Sequence, residues 1–152
     1  FIMGLFSFVK DKGEQLFNWA TGETANQETE STIATFVQKF DLPVRDFTVD
    51  VKGDRACVGG VCASQEAREK VILAVGNISG IAEVEDKLSV EVPAPEAKFY
   101  IVQSGDTLSK ISKEYYGDAM RYNVIFDANR PLLADPDKIY PGQTLRIPEA
   151  TV

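Results

Sequence analysis

The residue types that most often carry acid–base and nucleophilic chemistry are scarce in this chain. It contains no histidine, which removes the usual general base, the Ser–His and Cys–His nucleophile systems and imidazole ligation of metals. Its two cysteines, Cys57 and Cys62, cannot form a structural zinc site without further ligands. The aspartates fall at expected caps and turns, with no spacing that indicates a paired acid–base site. We therefore predict that the chain is not an enzyme.

A different chemistry is available in the segment GNISGI, residues 76–81, which follows a predicted helix. The end of a helix leaves carbonyls without partners and carries negative partial charge. Gly76 and Gly80 let the backbone curl, so that successive carbonyls can converge. Such neutral oxygens can replace the hydration shell of potassium, whereas carboxylate cages favour calcium or magnesium. On the residues alone, a helix stop at Gly76 and a turn at Gly80 are the simpler interpretation.

The overall composition favours a small binding protein. The 152 residues suit two small domains, and their formal net charge is −7. An acidic chain repels phosphate backbones and anionic membrane surfaces, so we expect neither nucleic acid nor membrane as a partner. No stretch is long enough to cross a membrane and we recognise no export signal, so we expect a cytoplasmic protein with two reduced cysteines. A disulfide is the alternative for a secreted protein.

Hydrophobic periodicity predicts two α+β domains. Residues 1–24 form an amphipathic segment with roughly helical spacing, and residues 25–92 have the order α-β-β-α-β. The Pro/Ala stretch within residues 93–98 is a short linker. Residues 99–152 then have the order β-α-α-β, in which Asp106 or Thr107 caps the first helix.

The second predicted domain resembles the LysM family. The resemblance lies in residues 100–111, 116–118, 125–129 and 139–148, which read YIVQSGDTLSKI, YGD, IFDAN and IYPGQTLRIP. It implies a groove for N-acetylglucosamine polymers such as peptidoglycan, between the first strand–helix loop and the second helix–strand loop. The residues so implied are Gly105, Asp106, Thr107, Leu108, Asn129 and Leu132. Because that polymer lies outside the cytoplasm, a purely structural role for these residues is the alternative.

The first predicted domain resembles the BON family through its element order and through VGNISGI, residues 75–81. With the opening MGLFSFVKD, residues 3–11, the whole chain resembles bacterial cytoplasmic potassium-binding proteins in which a BON domain precedes a LysM domain. The resemblance implies a monomeric, non-catalytic potassium sensor or buffer whose domain arrangement changes with the ion. The implied carbonyl ligands are Val9, Lys12, Gly76, Ile78 and Ile81.

Overall fold

The structure, a computed structural model, describes residues 5–9 and 27–149. These residues form both helices and strands, which confirms the predicted α+β class. In chain order the elements are β1 (Leu5–Ser7), α1 (Gln27–Gln38), β2 (Val44–Lys52), β3 (Arg55–Ser64), α2 (Gln65–Gly76), β4 (Glu83–Val92), β5 (Lys98–Ile101), α3 (Leu108–Tyr116), a 3-10 turn (Ala119–Arg121), α4 (Tyr122–Ala128) and β6 (Thr144–Ile147).

The first domain is a four-stranded sheet in the order β1-β4-β3-β2. Strands β2 and β3 form an antiparallel hairpin, and α2 carries the chain across so that β4 lies parallel to β3. The Ser64 hydroxyl accepts a hydrogen bond from the Ala67 N–H at 3.1 Å and thereby caps α2. Side chains from α1, α2 and the sheet bury one apolar core, which includes Ile33, Val58 and Val71.

The predicted helical spacing at the start of the chain is wrong for residues 5–7. These residues form β1, which pairs antiparallel with β4 and aligns Leu5 with Glu85 and Ser7 with Glu83. Pairing with the outer edge of β4 satisfies backbone groups that a helix at this position would leave unpaired, and it lets Phe8 enter the core. Tertiary contacts therefore override the local apolar spacing. Residues 10–24 of the predicted amphipathic segment lie outside the described residues.

The second domain packs α3 and α4 against the antiparallel pair β5–β6. Thr107 rather than Asp106 caps α3, because its hydroxyl accepts from the Lys110 N–H at 3.1 Å. The helix ends at Gly117, whose φ of 75° is the left-handed conformation that glycine adopts without strain. The core of the second domain contains Leu108, Ile125 and other apolar side chains.

Both cysteines are free in the structure. Burial raises the pKa of the Cys62 thiol to about 11 and also raises the pKa of the Cys57 thiol. Both groups are therefore protonated near neutral pH, and a protonated thiol is a poor metal ligand and a poor nucleophile.

Candidate ion-binding junction

The segment 76–81 leaves α2 as a tight, anchored turn. The N–H of Asn77 still donates to Leu73 at 2.9 Å, and the N–H of Ile78 donates to the Val75 carbonyl at 3.2 Å. The side chains of Ile78 and Ile81 are fully buried in the core of the first domain. Gly80 has a φ of 103°, so the turn depends on a residue without a side chain. The predicted helix end and the predicted glycine turn are both confirmed.

Three of the expected ion ligands, Gly76, Ile78 and Ile81, lie together in this turn. The carbonyl of Ile78 accepts a hydrogen bond from the Ile81 N–H at 3.1 Å. Because a carbonyl oxygen has two lone pairs, this bond leaves it able to bind a further partner. The side chains of residues 76–81 carry no formal charge, so any ligands that the turn supplies are neutral oxygens.

The N-terminal segment contacts the turn through Phe8. Its N–H donates to the Ala82 carbonyl at 2.8 Å, and its ring lies against the α-carbon of Gly76. A Cβ atom on Gly76 would come within 2.1 Å of the Phe8 Cζ atom, so only glycine fits beneath the ring. Val9, the fourth expected ligand, follows directly in sequence and is half-buried. Lys12, the fifth, lies outside the described residues.

The second domain contacts the turn through Asn77. The side-chain amide of Asn77 donates to the Thr144 carbonyl at 2.9 Å, and its oxygen accepts from the Thr144 N–H at 2.9 Å. The two bonds have the pattern of a strand residue that pairs with the edge of a sheet. Asn77 thus joins the turn to β6 at a position between two of the expected ligands.

A buried ion pair joins the same helix to the same strand. The carboxylate of Glu69 accepts from the Arg146 Nε at 2.8 Å, and its other oxygen accepts from the Gln65 amide at 2.8 Å and from the Ala97 N–H at 3.0 Å. Glu69 is 3% exposed and Arg146 is 7% exposed. Removal of one partner would leave an uncompensated buried charge, so the packed arrangement requires both residues.

Among the described residues, no three histidine, cysteine, aspartate or glutamate side chains are grouped so that they could hold a metal ion. In the described part of the chain, a divalent or transition metal therefore finds no side-chain site of that kind. The side chains of residues 76–81 are uncharged, so this turn can supply only neutral oxygens, which are the ligand type suited to a large monovalent cation.

The six residues implied as a glycan groove divide into two groups. Gly105 and Thr107 are exposed, and the half-buried Asp106 accepts from the Tyr100 hydroxyl at 2.5 Å. Leu108 is buried in the core of the second domain, and Asn129 is buried with its amide bonded to the main chain of Arg146. Leu132 packs against the core of the first domain. In the first loop, Gly105 and Thr107 are therefore accessible to a ligand, whereas Leu108 is buried. Asn129 and Leu132 of the second loop make contacts within the protein.

Sequence reasoning missed the residues that join the two domains. Glu69 follows the ordinary pattern of a solvent-facing helix residue, and Arg146 alternates with apolar neighbours as on a half-exposed strand. Asn77 directly after a helix indicates only a cap. The single available signal was Gly76, because a glycine at the last position of a helix also permits close approach by another segment.

Comparison with known proteins finds two domain families in the chain. Residues 25–92 match the BON domain family and residues 100–148 match the LysM domain family. Over 148 residues the chain is 50% identical to the potassium binding protein Kbp of Escherichia coli O6:H1, and the match covers 97% of this chain and 99% of that protein. The chain belongs to the Kbp family. Its similarity to Kbp extends beyond the two domains to the N-terminal segment, where β1 and Phe8 lie.

A second relative shares a shorter part of the chain. An uncharacterized protein of Deinococcus radiodurans is 53% identical over 49 residues, which are 32% of this chain and 19% of that protein. The similarity to Kbp therefore carries more weight, since it includes both sides of the junction. In the described residues, no helix is both long and apolar enough to span a bilayer.

Proposed function

We propose that this protein binds potassium without catalysis, as a cytoplasmic sensor or buffer. The carbonyl oxygens of Gly76, Ile78 and Ile81 supply one side of the site, and those of Val9 and Lys12 supply the other. The observation that carries the proposal is the anchored, uncharged turn at residues 76–81, against which Phe8 brings the N-terminal segment. The name of the relative Kbp supports the identity of the ion.

The proposal includes an ion-linked arrangement of the two domains. Asn77 lies within the turn and bonds to β6, so an ion that orders the turn also favours docking of the second domain. By linkage, docking of the second domain raises the affinity for the ion by the same factor by which the bound ion raises the docking equilibrium constant. Residues 93–97 have no regular structure and permit the movement.

We further propose that the protein acts as a monomer in the cytoplasm. Two free, protonated cysteines suit a reducing compartment. The net charge of −7 opposes self-association.

Calorimetry of the dialysed protein titrated with KCl, NaCl and CaCl2 tests the ion assignment. We expect saturable heat with KCl and much weaker binding of the other two salts. A double variant with Cys57→Ala and Cys62→Ala is the control, and it should bind potassium as the wild type does, since protonated thiols take no part. Tighter binding of calcium than of potassium would overturn the proposal.

Small-angle scattering in KCl and in NaCl at equal ionic strength tests the domain arrangement. We expect a smaller radius of gyration in KCl. Identical curves, under conditions in which calorimetry shows the site to be occupied, would contradict an ion-linked change while leaving the ion site intact.

Peptidoglycan binding through the LysM domain is the second candidate, and the match of residues 100–148 to that family supports it. The exposed wall at Gly105 and Thr107 is available for it. Sedimentation of the full-length protein with purified peptidoglycan is the test. Retention in the pellet that is lost in a Thr107→Lys variant would favour this function.

A further inference from the structure

The inference concerns Thr144, and it rests on the proposed potassium site. Thr144 is the first residue of β6, and its main chain is bonded to the Asn77 side chain. Side chains two residues apart in a strand lie on the same face of the sheet. Since the Arg146 side chain meets Glu69 of α2, the Thr144 side chain lies on the face that packs against this helix. Compared with Arg146, Thr144 lies nearer the C-terminal end of α2, where the turn at residues 76–81 begins.

The hydroxyl of Thr144 differs from every other polar group in this interface. Within residues 5–9 and 27–149, its oxygen is the one buried side-chain nitrogen or oxygen that has no hydrogen-bond partner. The residue is 3% exposed. Burial of a hydroxyl without a hydrogen bond is unfavourable, and buried polar groups are otherwise almost always paired. Such a hydroxyl is available to a partner from outside the described residues, such as an ion or a water molecule.

The chemistry of the neighbourhood narrows the identity of that partner. The C-terminal end of a helix carries negative partial charge and attracts cations. The adjoining turn offers carbonyl oxygens, and a threonine hydroxyl adds one more neutral oxygen. An anion would meet no cationic side chain in residues 76–81. The surroundings therefore favour a weakly hydrated monovalent cation, together with any water that the cation retains.

We propose that the Thr144 hydroxyl is the contribution of the LysM domain to the bound potassium, as an oxygen ligand of the ion or of an ion-bound water. The hydroxyl is then satisfied in the ion-loaded protein and unsatisfied in the ion-free protein. Through this group the second domain responds directly to occupancy of the site, in addition to the contact that Asn77 makes with Thr144.

The test is the pair of variants Thr144→Val and Thr144→Ser, studied in the full-length protein. Valine keeps the shape of threonine and removes the hydroxyl, whereas serine keeps the hydroxyl. For Thr144→Val we expect potassium affinity to fall about tenfold, the size of effect that follows from one lost polar contact to a charged group. We expect Thr144→Ser to bind within about threefold of the wild type, on the same arithmetic.

Thermal unfolding gives a readout that a merely structural hydroxyl would not produce. Without potassium, Thr144→Val should be at least as stable as the wild type, because it removes an unpaired buried group. In saturating KCl it should be stabilised less by the ion than the wild type is. Ser112→Ala is the matched control. The Ser112 hydroxyl is buried in the same domain but donates to the main-chain carbonyl of Asp118 at 2.6 Å. That variant should lose stability equally with and without potassium and keep its affinity.

The outcomes separate this inference from the function on which it rests. If the wild type fails to bind potassium, the proposed function itself is wrong. If the wild type binds and Thr144→Val binds equally well, the hydroxyl contacts neither the ion nor its water, and the inference is overturned. A crystal structure with rubidium in place of potassium shows from the anomalous signal whether the oxygen touches the ion or a water.

Discussion

Two asparagines, one in each domain, bind residues two positions apart in the same strand, β6. Asn129, which follows α4, pairs its side-chain amide with the N–H and the carbonyl of Arg146 at 2.8 and 2.9 Å. Asn77, which follows α2, makes the same two bonds to Thr144, both at 2.9 Å. The first pair lies within the LysM domain and the second joins the two domains.

The resemblance between the two contacts shows how the interface is built. Successive residues of a strand direct their N–H and carbonyl groups to opposite edges, so Thr144 and Arg146, two residues apart, direct theirs to the same edge. On one edge β6 pairs with β5, and on the other the two asparagines occupy the positions that a third strand would fill. The LysM domain therefore uses a residue of the BON domain to complete its own sheet. The two bonds differ in exposure, since Asn129 is buried and Asn77 is half-buried.

We expect the largest effect from Asn129→Ala. The Asn129 amide also donates to the Ile125 carbonyl at 2.8 Å, so the change leaves several buried backbone groups unpaired. It should lower the free energy of unfolding by about 3 kcal/mol. Urea denaturation of the full-length protein measures this value. A loss no greater than that of Asn77→Ala would show that the two contacts do not differ as their burial indicates.

The change Gly76→Ala tests the other contact of the turn, with the N-terminal segment. The added Cβ would meet the Phe8 ring, which we expect to cost about 2 kcal/mol in spite of the better helix propensity of alanine. Potassium binding should weaken as well, because the ring holds the N-terminal segment against the turn. A double variant with Phe8→Leu makes room, and it should recover part of the stability. If the double variant were no more stable than Gly76→Ala, contact with the Phe8 ring would not be the cause of the lost stability.

The change Asn77→Ala should have a smaller effect on stability and a larger one on domain docking. Water can reach the half-buried groups that it exposes, so we expect a loss of about 1 kcal/mol. Limited proteolysis within residues 93–97 should become faster, because the second domain detaches more often. Asn129→Ala, studied at a temperature at which it remains folded, is the control. Equal acceleration in both variants would argue against a specific docking role for Asn77.

The smallest effect concerns a polar contact within the second domain, between Tyr100 and Asp106. The hydrogen bond to the Asp106 carboxylate, together with burial, raises the pKa of Tyr100 to about 12. A raised pKa favours the protonated phenol in the folded protein. Its contribution is therefore complete below pH 10, the ordinary value, and is lost as the pH rises through 12. Phenolate absorbance should show one tyrosine titrating at lower pH in Asp106→Asn. An unchanged titration would contradict the assignment.

Much of the fold followed from local signals in the sequence. The caps at Ser64 and Thr107 and the stops at Gly76 and Gly117 mark helix ends, and the structure places the ends there. These signals are short-range, because a cap satisfies backbone groups within one turn of itself. Strand extents have weaker local signals, and β3 continues through Gly59 and Gly60. In that region pairing with two neighbouring strands outweighs the low strand propensity of glycine.

The junction could be predicted only in part. The turn at residues 76–81 is a local feature, and its glycines are visible in the sequence. Phe8 and Thr144 reach it from distant parts of the chain, so no periodicity links them to it. The conversion of residues 5–7 into a strand depends on the free edge of β4, which exists only after the sheet has formed. Glu69 and Arg146 are 77 residues apart in sequence, and nothing local marks them as a pair.

The junction also has a consequence for the order of events during synthesis. It gathers Phe8 from the start of the chain, the turn after Gly76 from the middle and Thr144 from near the end. Contacts so distant in sequence form late, because loop closure must precede them. A nascent chain that has not yet emerged past β6 lacks one face of the junction. The proposed ion site is therefore complete only in a chain that has been synthesised and folded through β6.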